Sequence, residues 1–126
     1  MDADAVDPNN MKLKFLIIML LLLISIALAA CNSGPGKYDE FAACLFEKEV
    51  TMYGTEWCSH CQNQKAEFEK SFKYVDFVDC DKNKDACLRA GVEGYPTWKI
   101  NGTLYPGEQP LERLASLSGC ELNNEQ

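Results

Sequence analysis

Positive charge is scarce in this sequence. Twelve Lys and Arg stand against nineteen Asp and Glu, a formal charge of −7. Residues 1–30 hold three of those acids and two of the bases, so the remainder still carries −6. An acidic chain without a basic stripe excludes a nucleic-acid partner. Histidine occurs once, as His60. There is no internal repeat, and no low-complexity tract beyond one short Gly/Pro/Ser linker. The length of 126 residues allows a single domain. Cysteine, by contrast, is abundant, with seven copies. In a cytosolic chain such a count suggests metal sites, and in an exported one a disulfide framework.

The N-terminus decides between these. Lys12 and Lys14 precede an apolar run from Phe15 to Ala30, broken only by Ser25, which is the pattern of an export signal. The run ends Leu28-Ala29-Ala30-Cys31 and resembles the lipobox of bacterial lipoproteins. That resemblance implies cleavage before Cys31 and a lipid on its sulfur. Residues Met1 to Asn10 are polar and unlike such a signal, so Met11 is the expected start. The alternative is that residues 15–30 remain as a signal anchor; they are short of the ~20 residues a span needs, although flanking residues can lengthen it. Both readings place residues 32–126 at the extracytoplasmic face of the cell membrane. The expected organisation is an N-terminal extension and export signal at 1–30, a lipidation site and linker at 31–37, one folded domain at 38–122 and a tail at 123–126.

Within the folded part, Phe41, Cys44 and Leu45 recur at helical spacing and predict a helix over 38–48. Val50 to Tyr53 is a short apolar strand ended by Gly54. From Cys58 to about Ser71 there is neither Gly nor Pro, and Cys61, Lys65, Phe68 and Phe72 share one helical face. Residues 74–79 suit a second strand, and Lys84 to Ala90 a short helix stopped by Gly91. Thr97 to Ile100 and Thr103 to Tyr105 flank Asn101-Gly102, a type I′ hairpin signal. Leu111, Leu114 and Leu117 line a last helix that Gly119 closes. The predicted order is α-β-α-β-α-β-β-α. Phe41, Phe68, Phe72 and Phe77 are assigned to the core.

Trp57-Cys58-Ser59-His60-Cys61 is the candidate site. It places a CxxC after a buried strand and at the start of a helix. Disulfide exchange needs a thiolate, and the unpaired N–H groups and dipole of a helix N-terminus stabilise an anion there. Cys58 is the expected nucleophile. Cys61, one turn on, is placed to attack a mixed disulfide on Cys58 and release the client. His60 adds a donor beside the thiolate, which favours the reduced form and makes the disulfide a stronger oxidant; the competing reading is a solvated turn histidine. A zinc site using Cys80 and Cys87 is the other use of a CxxC, but six residues separate that second pair. Further on, Gly94-Tyr95-Pro96-Thr97-Trp98 puts a proline before a strand, where it cannot donate to the ladder, and an X–Pro bond is where a cis peptide costs little.

A CxxC at a helix start, followed by a proline opening the next-but-one strand, resembles the thioredoxin superfamily. The resemblance implies an α/β thioredoxin fold with a central mixed four-stranded sheet flanked by helices. It also implies a cis Pro96 against the sulfurs, a Tyr95 backbone that pairs with client peptide, and Trp57 at the exposed rim. Met52-Tyr53-Gly54-Thr55-Glu56-Trp57-Cys58-Ser59-His60-Cys61 with Gln64-Lys65, and Gly94-Tyr95-Pro96-Thr97-Trp98 with Asn101-Gly102, is closer still to the thioredoxin-like module fused to vitamin K epoxide reductase homologues. In those fusions a membrane domain oxidises the module with a quinone. This chain carries no four-helix membrane domain, so a separate vitamin K epoxide reductase-like protein is the expected partner. Thioredoxins usually place an acid six residues before the first active cysteine; Met52 stands there, which weakens the case for a general reductase. No glycine pair follows the hairpin to bind glutathione, against a glutaredoxin.

Setting aside Cys31, Cys58 and Cys61 leaves Cys44, Cys80, Cys87 and Cys120, with three possible pairings. A local Cys80–Cys87 bridge is the easiest to close, and it leaves Cys44 with Cys120; alternatively Cys44 is a free buried apolar residue. The expected function is an extracytoplasmic thiol–disulfide oxidoreductase acting on exported protein clients, an oxidant re-oxidised by a membrane partner. It is expected to need no metal and no cofactor beyond its redox-active Cys58–Cys61 disulfide. A reductase of the same fold, and a non-enzymatic cysteine-stapled or metal-binding lipoprotein, are the alternatives.

Overall fold

A computed structural model describes residues 8–29 and 34–123. Cys31, the expected lipid site, and residues 124–126 lie outside the described residues. The chain falls into two units, one ending at Gly34 and one beginning at Pro35.

The first unit is helix α1, Pro8–Ala29, of 22 residues. At 1.5 Å per residue it is about 33 Å long. It begins ahead of the apolar run because Pro8 suits a first helical position and Lys12 and Lys14 are good helix formers. The stretch Pro8–Ser25 has a mean hydropathy of 1.4, with none of it buried. It is long and apolar enough to cross a membrane.

The second unit contains α2 (Asp39–Glu47), β1 (Thr51–Gly54), α3 (Ser59–Glu67), a 3₁₀ segment (Glu69–Tyr74), β2 (Asp76–Asp79), α4 (Lys84–Ala90), β3 (Thr97–Ile100), β4 (Thr103–Pro106) and α5 (Leu111–Ser118). This is the predicted order. The sheet runs β2-β1-β3-β4. β1 lies parallel to β2, with Met52 opposite Phe77, and antiparallel to β3, with Met52 opposite Trp98. β3 and β4 form the hairpin. Asn101 (φ 50°) and Gly102 (φ 79°) both take the positive φ that a type I′ turn requires.

The helix after the CxxC is shorter than predicted. α3 stops at Glu67, Phe68 caps it, and Glu69 takes a positive φ of 52° before the chain resumes as a 3₁₀ turn. Tertiary docking supplies the reason. Phe68 is fully buried and stacks on Phe41 of α2 at 6.0 Å. Ser71 is fully buried, and its hydroxyl oxygen accepts the Tyr38 N–H at 3.0 Å. No Gly or Pro marks this break.

One core joins Phe41 and Leu45 of α2, Met52 of β1, Phe68, Trp98 and Ile100 of β3, and Leu111 and Leu114 of α5. Each large apolar side chain so buried contributes about 1.5–3 kcal/mol. Phe72 and Phe77 pack against it partly exposed. On α5 the buried stripe is Leu111, Leu114 and Ser118, with Leu117 half-buried. Ser118 is accommodated because its hydroxyl donates to the Leu114 carbonyl at 2.7 Å.

Candidate active site

β1 is a central strand, and it ends at Gly54 pointing at the start of α3. Cys58 is the N-cap of α3, with extended backbone (φ −72°, ψ 118°). Its Sγ accepts the Cys61 N–H at 3.3 Å, so the sulfur satisfies one of the helix's unpaired donors. The Cys58 thiol donates in turn to the Tyr95 carbonyl at 3.7 Å. Cys58 is 8% exposed, whereas Cys61 is fully enclosed. Both stand as free thiols. Burial pushes the Cys61 thiol up to about 11, and the neighbouring Cys58 sulfur adds to the rise; the Thr55 backbone N–H and the Lys65 ammonium act the other way. The enclosure is close. A Cβ on Gly54 would sit 2.7 Å from Cys61 Sγ, so only glycine fits beneath the buried sulfur.

The Tyr95–Pro96 bond is cis. Pro96 is buried, and its carbonyl accepts the Gly107 N–H at 2.7 Å. Tyr95 stays 38% exposed and meets the Trp57 ring edge-on at 6.5 Å. Trp57 is 69% exposed, and its indole N–H donates to Asp81 Oδ2 at 2.7 Å. Trp57, Cys58 and Tyr95 therefore form one patch, built from two loops distant in sequence.

His60 lies on the exposed side of the first turn of α3. Its Nδ1 is 2.6 Å from Glu108 Oε1, and Asn63 donates to the same oxygen at 3.4 Å. The ring's partner is thus the Glu108 carboxylate, where the sequence suggested the Cys58 thiolate. Glu108 was not foreseen, because it comes from the β4–α5 loop.

Gln64 was also not foreseen as a site element. It is fully buried, and every polar atom of its amide is used. Its Oε1 accepts from Trp98 Nε1 (2.9 Å) and from the Gln109 N–H (2.6 Å), while Nε2 donates to the Gln109 carbonyl at 3.0 Å and to Glu67 at 3.3 Å. This amide ties α3 to the loop that carries Glu108. The available signal was a polar residue on the same helical face as Cys61 and Phe68.

The other four cysteines among the described residues are joined in pairs. Cys44 is bonded to Cys120 and Cys80 to Cys87. The first bridge links α2 to the residue after the α5 cap, and the second links the end of β2 to α4. Among the described residues, no three His, Cys, Asp or Glu cluster as metal ligands.

Known proteins are similar to this chain in sequence. Thiol-disulfide oxidoreductase LTO1 of Arabidopsis thaliana is 40% identical over 81 residues, covering 57% of this chain and 22% of that protein. Protein disulfide isomerase-like 2-2 of Oryza sativa subsp. japonica is 33% identical over 128 aligned positions, covering 81% and 34%. Probable protein disulfide-isomerase A6 of Medicago sativa is 37% identical over 97 positions, covering 60% and 27%. The chain spans only about a fifth to a third of the length of these relatives. Among solved structures, the thioredoxin of Fasciola hepatica gives a TM-score of 0.43 at 23% identity, covering 57% of this chain and 79% of that one. The Thioredoxin family model matches residues 37–116. That match runs from just ahead of α2 into α5 and takes in every strand as well as the sulfur pair, and the chain belongs to the thioredoxin family.

Proposed function

We propose that the chain is an extracytoplasmic protein thiol–disulfide oxidoreductase, an oxidant of exported client proteins that works through Cys58 and Cys61. The observation that carries the reading is the placement of Cys58 Sγ at the head of α3, accepting the Cys61 N–H while meeting the Tyr95 backbone. A sulfur so placed takes up a backbone N–H at the head of the helix and faces the loop that carries Tyr95. The more exposed of the two sulfurs is the one a client reaches, and the enclosed one is shielded from other thiols.

In the oxidising direction a client thiolate attacks Cys58 of the Cys58–Cys61 disulfide. The bond between the two enzyme sulfurs breaks, its electron pair goes to Cys61, and a mixed disulfide forms on Cys58. A second client thiolate then attacks the client sulfur, and Cys58 leaves. The client gains a disulfide, the enzyme takes two electrons, and its two thiolates take up protons from solvent to leave a dithiol. Trp57 and Tyr95 are the proposed contact surface, Pro96 shields the sulfurs, and His60 with Glu108 tunes the charge at the mouth of the site. Re-oxidation is assigned to a separate membrane protein resembling vitamin K epoxide reductase.

Two features support an extracytoplasmic setting. α1 is apolar and long enough to span a bilayer, and two disulfides in one small domain suit an oxidising compartment. The anchor in this reading is lipid on Cys31 or α1 itself. A Cys61→Ala variant in the native host is expected to accumulate mixed disulfides on Cys58, whose identities name clients and partner. Purified chain is expected to have a reduction potential nearer about −120 mV than about −270 mV. A value at the lower end transfers the same site to a reductase, and a chain that exchanges with no thiol at all overturns the reading.

A further inference from the structure

We propose that Lys65 is a positioning residue for exchange: its ammonium, clamped between Glu56 and Phe77, stabilises the negative charge that appears on Cys61 Sγ. The proposal rests on the exchange chemistry above and adds to it a residue that touches no client.

Lys65 stands four residues after Cys61 on α3, so the two side chains share one stripe. Lysines ordinarily run out to water, yet this side chain is only 20% exposed. Its Nζ lies 2.9 Å from Glu56 Oε2 and 3.9 Å above the Phe77 ring centroid, with Phe72 at 5.4 Å. Phe77 continues the line to the sulfur. Over Gly54, a Cβ would meet Cys61 Sγ at 2.7 Å and Phe77 Cε2 at 3.3 Å. Ammonium, ring and sulfur are therefore successive neighbours.

The groups bearing on Cys61 make this cation matter. Burial, and after it the Cys58 sulfur, oppose a negative charge there, while the Thr55 N–H and then Lys65, the one cation among them, favour it. Met52, Phe68 and Trp98, in the same core, bring no charge. The Glu56 carboxylate of the pair is 62% exposed and screened by water, so the clamp does little for the fold. Its effect falls on the sulfur. When a client thiolate attacks Cys58, Cys61 is the leaving group, and a stabilised thiolate leaves faster. In reverse, the Cys61 thiol gives its proton to solvent, attacks Cys58 and expels the client thiolate. The same atom carries the charge in both directions.

The test uses the full-length chain in detergent micelles, with reduced glutathione as the attacking thiol on the Cys58–Cys61 disulfide, from pH 6 to 10. Lys65→Met and Lys65→Gln are expected to slow Cys61 release about three- to tenfold and to move the ultraviolet thiolate absorbance of Cys61 in the reduced form to higher pH. Lys65→Arg is expected to restore most of the rate. Wild-type rates and an unmoved profile in Lys65→Gln, or an Arg variant as slow as the Met variant, overturn the proposal. A wild-type chain that does not react with glutathione overturns the exchange reading instead.

Discussion

Gln64 Oε1 accepts a hydrogen bond from the Trp98 indole at 2.9 Å, and both side chains are fully buried. The same oxygen holds the Gln109 N–H. Gln64→Leu keeps the side chain's bulk and removes the acceptor from two buried donors, each costing about 1–3 kcal/mol when left unpaired. The expected loss is about 2–6 kcal/mol in urea denaturation, with faster amide exchange at Gln109. A loss under 0.5 kcal/mol refutes the role assigned to this amide.

The two disulfides are expected to differ in weight. Cys44–Cys120 closes a separation of 76 residues and Cys80–Cys87 one of 7. By loop entropy the first contributes about 4 kcal/mol and the second about 2. Paired Cys→Ala variants, compared by denaturant midpoint, check the ranking; equal losses contradict it.

Alkali is expected to destabilise the dithiol form selectively. The Cys61 thiol ordinarily ionises near 9.0, and the fold raises this to about 11. Between those pH values the unfolded chain has lost a proton that the native state still holds, so unfolding gains as pH rises. The contribution is whole below about pH 9 and gone above about pH 11. Its size is on the order of 2 kcal/mol. Urea melts of the dithiol and the Cys58–Cys61 disulfide forms should diverge across that window, because the disulfide has no such proton.

Gly54→Ala tests the enclosure of the second sulfur. The new methyl would lie 2.7 Å from Cys61 Sγ and 3.3 Å from Phe77 Cε2. The sulfur must shift, at a cost of about 1–3 kcal/mol, and exchange with a small thiol should slow with it. An alanine variant as stable and as active as the parent shows that the strand end yields.

Local chemistry made much of this legible. The order of elements and the Asn101-Gly102 turn follow from periodicity and turn residues, which act over a few positions, and the mixed four-stranded sheet follows from the resemblance to the thioredoxin superfamily. What the sequence hid depends on partners far along the chain. The halt of α3 at Glu67 comes from Ser71 and Phe68 docking on Tyr38 and Phe41. The pairing of His60 with Glu108 and the role of Gln64 both arise where the β4–α5 loop folds back on α3. Helical spacing puts Lys65 on the face of Cys61, but its clamp needs Glu56 and Phe77, which only the fold brings near.

The chain's two tryptophans occupy opposite environments. Trp57 stands in solvent at the mouth of the site, and Trp98 is sealed inside. Emission from the first is open to iodide and to an arriving peptide, while the second responds only when the interior opens. Each single Trp→Phe variant thus becomes its own optical reporter, one for docking and one for melting, with no dye attached.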